Sequence, residues 1–222
     1  MIAFVSAFAA GTAPSVGTAG PASASRLLPA GPPQPLIVAV RDGLRLQLPI
    51  NQRRVTAIGY HGAGEDVLAL DPLGRQANEG LLSRIVHRIF GGGGGGIAYY
   101  RLGGGVGPST GALNVGAVPG TDVYSPVDGT VVGLRPYVVN GRAYGSRLEI
   151  QPATEPSVVV SVSHLRTDPL ITVGSVLAAG TSKIGTVIDL ARVERQALAR
   201  YTQDAGNHVS IEVRPAANAG LG

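Results

Sequence analysis

In Gly120-Thr121-Asp122-Val123-Tyr124-Ser125-Pro126-Val127-Asp128-Gly129-Thr130-Val131-Val132, Val123 alternates with Ser125 along one strand and Pro126 ends the ladder. Asp128-Gly129 then turns the chain tightly into Val131-Val132. Further on, Thr172-Val173-Gly174-Ser175-Val176-Leu177 and Ala178-Ala179-Gly180-Thr181-Ser182-Lys183-Ile184-Gly185 read as short strands with glycine corners. Many short strands separated by turns predict a mainly β fold, an antiparallel β-sandwich of the barrel-sandwich kind.

Strand patterning continues to either side. Tyr144 to Ile150 and Val158 to Leu165 read as strands. Asp204-Ala205-Gly206-Asn207 is a turn that leads into the alternating strand His208-Val209-Ser210-Ile211-Glu212-Val213. Between these strands, Asp189 to Tyr201 predicts an inserted helix, with Asp189 as its N-cap and Leu190, Val193, Ala197 and Tyr201 along one face.

Towards the N-terminus, Ile97 to Leu102 reads as a short strand after the glycine run 91–96, a flexible connector that no Lys-Ser/Thr pair follows as a phosphate loop requires. Asn78 to Phe90 predicts a helix, its apolar residues repeating at three and four and His87 lying off that face beside two arginines. Leu36 to Val40, Leu44 to Ile50 and Val55 to Tyr60 read as strands, the first two joined by Asp42-Gly43 as a hairpin. These segments suggest a small α+β module over 36–96. Residues 25–35, with four prolines, read as an extended linker. Residues 1–24 carry no charge and end in Ala22-Ser23-Ala24, the pattern of a secretory signal whose apolar run is too short to span a membrane.

Composition narrows the chemistry. The 222 residues include no cysteine, so disulfides and thiol catalysis are excluded and any zinc would depend on histidine and carboxylate. Lys and Arg number 18 against 14 Asp and Glu, but the arginines are scattered and aromatic residues make up only 5%, which argues against nucleic-acid binding. His61, Glu65, Asp66 and Asp71 form a cluster of ligand-type residues within one short interval. Their spacing matches no metal motif, so a solvated loop or a local hydrogen-bond network is the simpler reading, with a metal or catalytic use as the alternative.

From Gly120 to Val213 the chain resembles the lysostaphin/LytM-type zinc metallopeptidases, which cut peptide bridges in peptidoglycan. The likeness lies in the 120–132 segment, in Tyr144 to Ile150, in the strand that ends at His164-Leu165, in the glycine corners 172–185, and in His208-Val209-Ser210. It implies a duplicated-hybrid-motif domain over 97–216. In that family, an H-x-x-x-D motif and the second histidine of H-x-H hold zinc, while two further histidines assist. Carried over by position, the assisting pair is His164 and His208. The three metal positions fall on Thr110, Asn114 and Ser210, whose neutral oxygens are poor zinc ligands.

The resemblance therefore implies a secreted, non-catalytic LytM-like domain at the cell envelope, with no cofactor, that binds peptidoglycan or regulates a wall hydrolase. The alternative is an active zinc endopeptidase with rearranged ligands drawn from His61, Asp66 or Asp71. No stable membrane span and no nucleic-acid partner are expected.

Overall fold

The computed structural model describes residues 30–78 and 97–218. The expected signal segment 1–24, the first residues of the linker, all of the 78–90 helix past Asn78, His87 and the glycine run lie outside the described residues.

Among the described residues fourteen strands are formed: β1 (Ile37–Arg41), β2 (Leu44–Gln47), β3 (Ile58–His61), β4 (Asp71–Pro72), β5 (Arg75–Gln76), β6 (Ala98–Arg101), β7 (Ala112–Gly116), β8 (Asp122–Tyr124), β9 (Gly129–Val139), β10 (Arg142–Pro152), β11 (Val158–Thr167), β12 (Val176–Leu177), β13 (Lys183–Val187) and β14 (His208–Pro215). The main sheet runs β12-β9-β10-β11-β14-β7-β3-β6-β5, with β13 and β8 branching from β11, and β2-β1-β4 forms a second, three-stranded sheet. The sheets are not closed into a barrel and the architecture is β-rich and sandwich-like, as expected from the strand pattern.

Turn chemistry explains the two long hairpins. Asp42-Gly43 joins β1 to β2, with Asp42 at φ 48°. Asn140 (φ 50°) and Gly141 (φ 77°) join β9 to β10, both in the left-handed region that a two-residue hairpin with the natural twist demands. Pro136 lies on β9, which pairs along most of its length with β10 alone, so its missing N–H leaves a near-edge strand rather than a central one.

Period-two alternation builds the core. Val209, Ile211 and Val213 of β14 lie on one face with Leu113 and Val115 of β7, Val160 and Val162 of β11, and Leu148 and Ile150 of β10. They join Val38, Leu44, Leu46 and Tyr60 in one hydrophobic cluster. Residues from the expected 36–96 module thus share this core, and β3 is hydrogen-bonded to β7 within the main sheet, His61 opposite Ala112. The opposite face of β14 carries His208, Ser210 and Glu212. These polar residues are also buried.

The helix expected over 189–201 is not formed. Val193 and Glu194 N–H donate to the Leu190 carbonyl in a single turn, the chain extends at Gln196, and Ala197–Arg200 is a 3-10 turn. Tertiary contacts override the weak helical stripe. Leu198, not Ala197, is fully buried, packed with Ala57 and Leu102, while Tyr201 stacks on Tyr100 at 4.4 Å. A Cβ at Gly59 would stand 2.8 Å from Leu102 and 2.9 Å from Leu198, so the bare backbone of β3 lets this segment seat on the sheet. The expected cap is also inverted: Leu190 and Ala191 N–H donate to Asn207 Oδ1, and Asp189 accepts from Asn207 Nδ2 instead of capping a helix.

Candidate functional site

Strand register sets the floor of the site. Ser210 of β14 stands opposite Asn114 of β7 on one side and Ser163 of β11 on the other. Two positions of the proposed ligand set that are far apart in sequence, Asn114 and Ser210, are therefore neighbours in space. Thr110 precedes β7 by two residues and is buried.

His164 reaches the same face through a backbone irregularity. Strict alternation after Ser161 and Ser163 would send it to the apolar side with Val160 and Val162. Instead His164 sits at φ 64°, in the left-handed region, and the β10–β11 register shifts between Ser146 and Leu148. The strand changes partner here: up to Ser163 it pairs with β14, and from Leu165 with β13. Such an extra residue re-aims a side chain, at a typical backbone cost of about 1–3 kcal/mol.

Its ring then meets His208. His164 Nδ1 lies 3.2 Å from His208 Nε2, and His208 Nδ1 lies 3.0 Å from the Gly206 carbonyl oxygen. Tyr137 stands edge-on to His164 with ring centroids 4.6 Å apart. Burial lowers both imidazoles from their ordinary value, His164 to about 3 and His208 to about 4. His208, Arg147 and His61 add to the depression of His164; for His208 the Gly206 hydrogen bond opposes it and His61 reinforces it.

Both rings are thus neutral at pH 7, and geometry fixes their tautomers. A carbonyl cannot donate, so the proton of His208 is on Nδ1 and its Nε2 is bare. His164 must then donate from Nδ1, which leaves its own Nε2 as a bare acceptor. Gly206 is held at φ 74°, and a Cβ there would stand 2.3 Å from the Ala199 nitrogen, so glycine keeps this carbonyl in place.

The acidic candidates disperse. His61 donates from Nδ1 to the Gly62 carbonyl at 2.6 Å, and its charge would be felt by both His164 and His208. Asp66 pairs instead with Arg214 at 3.4 Å, and Asp71 is exposed on β4 of the second sheet. Glu212 is held by Arg214 at 2.9 Å and Arg147 at 3.9 Å. Among the described residues, no three His, Cys, Asp or Glu side chains converge as a metal site. Thr110, Asn114 and Ser210 offer only neutral amide and hydroxyl oxygens. That donor set does not fit zinc, which needs charge compensation and nitrogen or carboxylate ligands.

Tyr137 and Arg147 are site residues that sequence reasoning missed. They belong to β9 and β10, and only the register of that hairpin carries them to His164. Asn114 shows an unmet demand: its Oδ1 is buried without a hydrogen-bond partner.

A cavity of about 190 Å³ lies between Leu102, Gln196 and Tyr201, and none of the site residues above lines it. No helix among the described residues is long and apolar enough to cross a membrane.

No family model and no curated protein match the chain. Among solved structures it is similar to lysostaphin in solution, at 15% identity and TM-score 0.35, over 47% of this chain and 36% of lysostaphin. It is also similar to Helicobacter pylori Csd3, at 16% identity and TM-score 0.37, over 80% of this chain and 32% of Csd3. The chain spans about a third of the length of each.

Proposed function

We propose that the chain is a non-catalytic LytM-like peptidase-fold domain, secreted to the cell envelope, that binds the peptide part of peptidoglycan and can thereby regulate a wall hydrolase. One observation carries this reading: Asn114 and Ser210 are register partners on the same sheet face as the His164–His208 pair. The His164–His208 pair, read as the assisting histidines, lies beside Asn114 and Ser210, which offer only neutral oxygens at two of the positions read as metal sites. A polar sheet face of this kind retains hydrogen-bonding capacity for a peptide while lacking a means to polarise its carbonyl.

Purified sacculi test the proposal. The chain is expected to sediment with them and to release no soluble fragments, with or without added zinc. Turnover abolished by a chelator would overturn the non-catalytic reading, and failure to sediment would overturn wall binding.

A zinc endopeptidase with rearranged ligands has one point in its favour, the electrostatic reach of His61 to both histidines. It requires a carboxylate that neither Asp66 nor Asp71 supplies. Chelator-sensitive muralytic activity, lost in both His61→Ala and His208→Ala, would establish it.

A further inference from the structure

The segment that follows β13 carries two cations with nothing to neutralise them. Arg195 and Arg200 are exposed, and among the described residues neither forms an ion pair. The acids of the same segment are engaged elsewhere. Asp189 pairs with Arg192 at 3.2 Å, Glu194 acts through its charge on Tyr137 of β9, and Asp204 accepts from the Gly206 N–H. None of the three lines the cavity of about 190 Å³ between Leu102, Gln196 and Tyr201, whereas both arginines do.

Packing fixes the backbone that carries the two guanidinium groups. Between them Leu198 is fully buried with Ala57 and Leu102, and Ala197–Arg200 is a 3-10 turn. Tyr201, next to Arg200, stacks on Tyr100 at 4.4 Å. Gln196, next to Arg195, is buried, and its Nε2 donates to the Glu194 carbonyl at 2.9 Å. Each arginine thus follows or precedes an anchored residue, so little backbone freedom is left to lose on binding a ligand.

Charge and lining define that ligand. Two unpaired guanidinium groups at one cavity attract an oxyanion, which each can meet with a planar fork of N–H donors. Leu102, Ala197 and Tyr201 give the same space an apolar wall. At about 30 Å³ per water the cavity has room for about six waters, enough for a carboxylate on a small apolar residue. A free phosphate would answer the charge but leave the apolar wall in water.

We infer that this cavity is a second binding site, which takes the C-terminal carboxylate of a peptide ending in a small apolar residue and holds it with Arg195 and Arg200. It shares no residue with the His164–His208 face, so it stands or falls apart from the wall-binding reading.

The test titrates the full chain at low ionic strength with N-acetyl-alanyl-alanine, its C-terminal amide and inorganic phosphate, and reads arginine Nε and Tyr201 ring shifts by NMR. The free acid should shift Arg195 Nε, Arg200 Nε and Tyr201, and should bind at least about fivefold more tightly than the amide or phosphate, the upper range for an exposed ion pair. Arg195→Gln and Arg200→Gln should each weaken the acid by about fivefold. Both side chains are exposed, so these variants keep the fold. Arg192→Gln removes the same charge from an arginine that does not line the cavity, and should leave the affinity unchanged.

Equal binding of acid and amide, phosphate binding as tightly as the acid, or no shift with any probe overturns the inference. An equal loss in Arg192→Gln also overturns it, because the attraction would then belong to the surface charge at large.

Discussion

His164 Nδ1 and His208 Nε2 face each other at 3.2 Å, and the Gly206 carbonyl behind His208 gives the pair a direction, His164 donating to His208 and His208 to Gly206. The arrangement requires both rings to be neutral. Protonating either one would bring a charge into a buried site that already feels Arg147.

A pH dependence of stability follows. Both folded-state values, about 3 and about 4, lie below the ordinary 6.5 of an unfolded histidine, so the unfolded chain takes up protons first on acidification. Stability is full above pH 7 and falls as pH drops through 6.5 towards the folded values, at up to about 1.4 kcal/mol per pH unit for each histidine. Urea unfolding at pH 7.5, 6.5 and 5.5 should show this slope. His208→Gln should remove about half of it, whereas an unchanged slope would show that the rings are not buried neutral.

The backbone at His164 makes a separate prediction. A side chain at φ 64° costs about 1–2 kcal/mol relative to glycine. Because neither replacement carries the ring, His164→Gly and His164→Ala differ mainly by that term. Glycine should give the more stable variant by about 1 kcal/mol in urea unfolding.

Asn207 clamps the start of the 190–201 segment by accepting from Leu190 and Ala191 N–H. Asn207→Ala should lower stability by about 1–2 kcal/mol, as loss of a helix cap does. Amide hydrogen exchange should locate the change: faster exchange at Leu190 and Ala191, with protection retained at Val160, Val162 and Ile211 in the central strands.

The central strands were legible because their buried residues alternate and their corners carry glycine, so Val209-Ser210-Ile211 reads the same way in sequence and in space. The His164–His208 contact was suggested by resemblance alone. Alternation places His164 on the wrong face, and nothing in Ser163-His164-Leu165 signals a left-handed residue. Tyr137 and Arg147 were invisible for another reason: their positions depend on the register of a hairpin, a property of pairing rather than of local sequence. The 189–201 segment misled because a helical stripe of Leu190, Val193, Ala197 and Tyr201 exists. Packing of Leu198 and Tyr201 onto Leu102 and Tyr100 outweighs it.

Zinc content tests the proposed function most directly, namely that Thr110, Asn114 and Ser210 beside the His164–His208 pair hold no metal. The measurement is zinc per chain, by elemental analysis of protein purified without added metal, for the unmodified chain and for the triple substitution Thr110→His, Asn114→Asp, Ser210→His. The account predicts well below one zinc in the unmodified chain and about one, removable by chelator, in the triple variant, whose three ligands would leave one position of a tetrahedral ion open. One zinc per unmodified chain would contradict it.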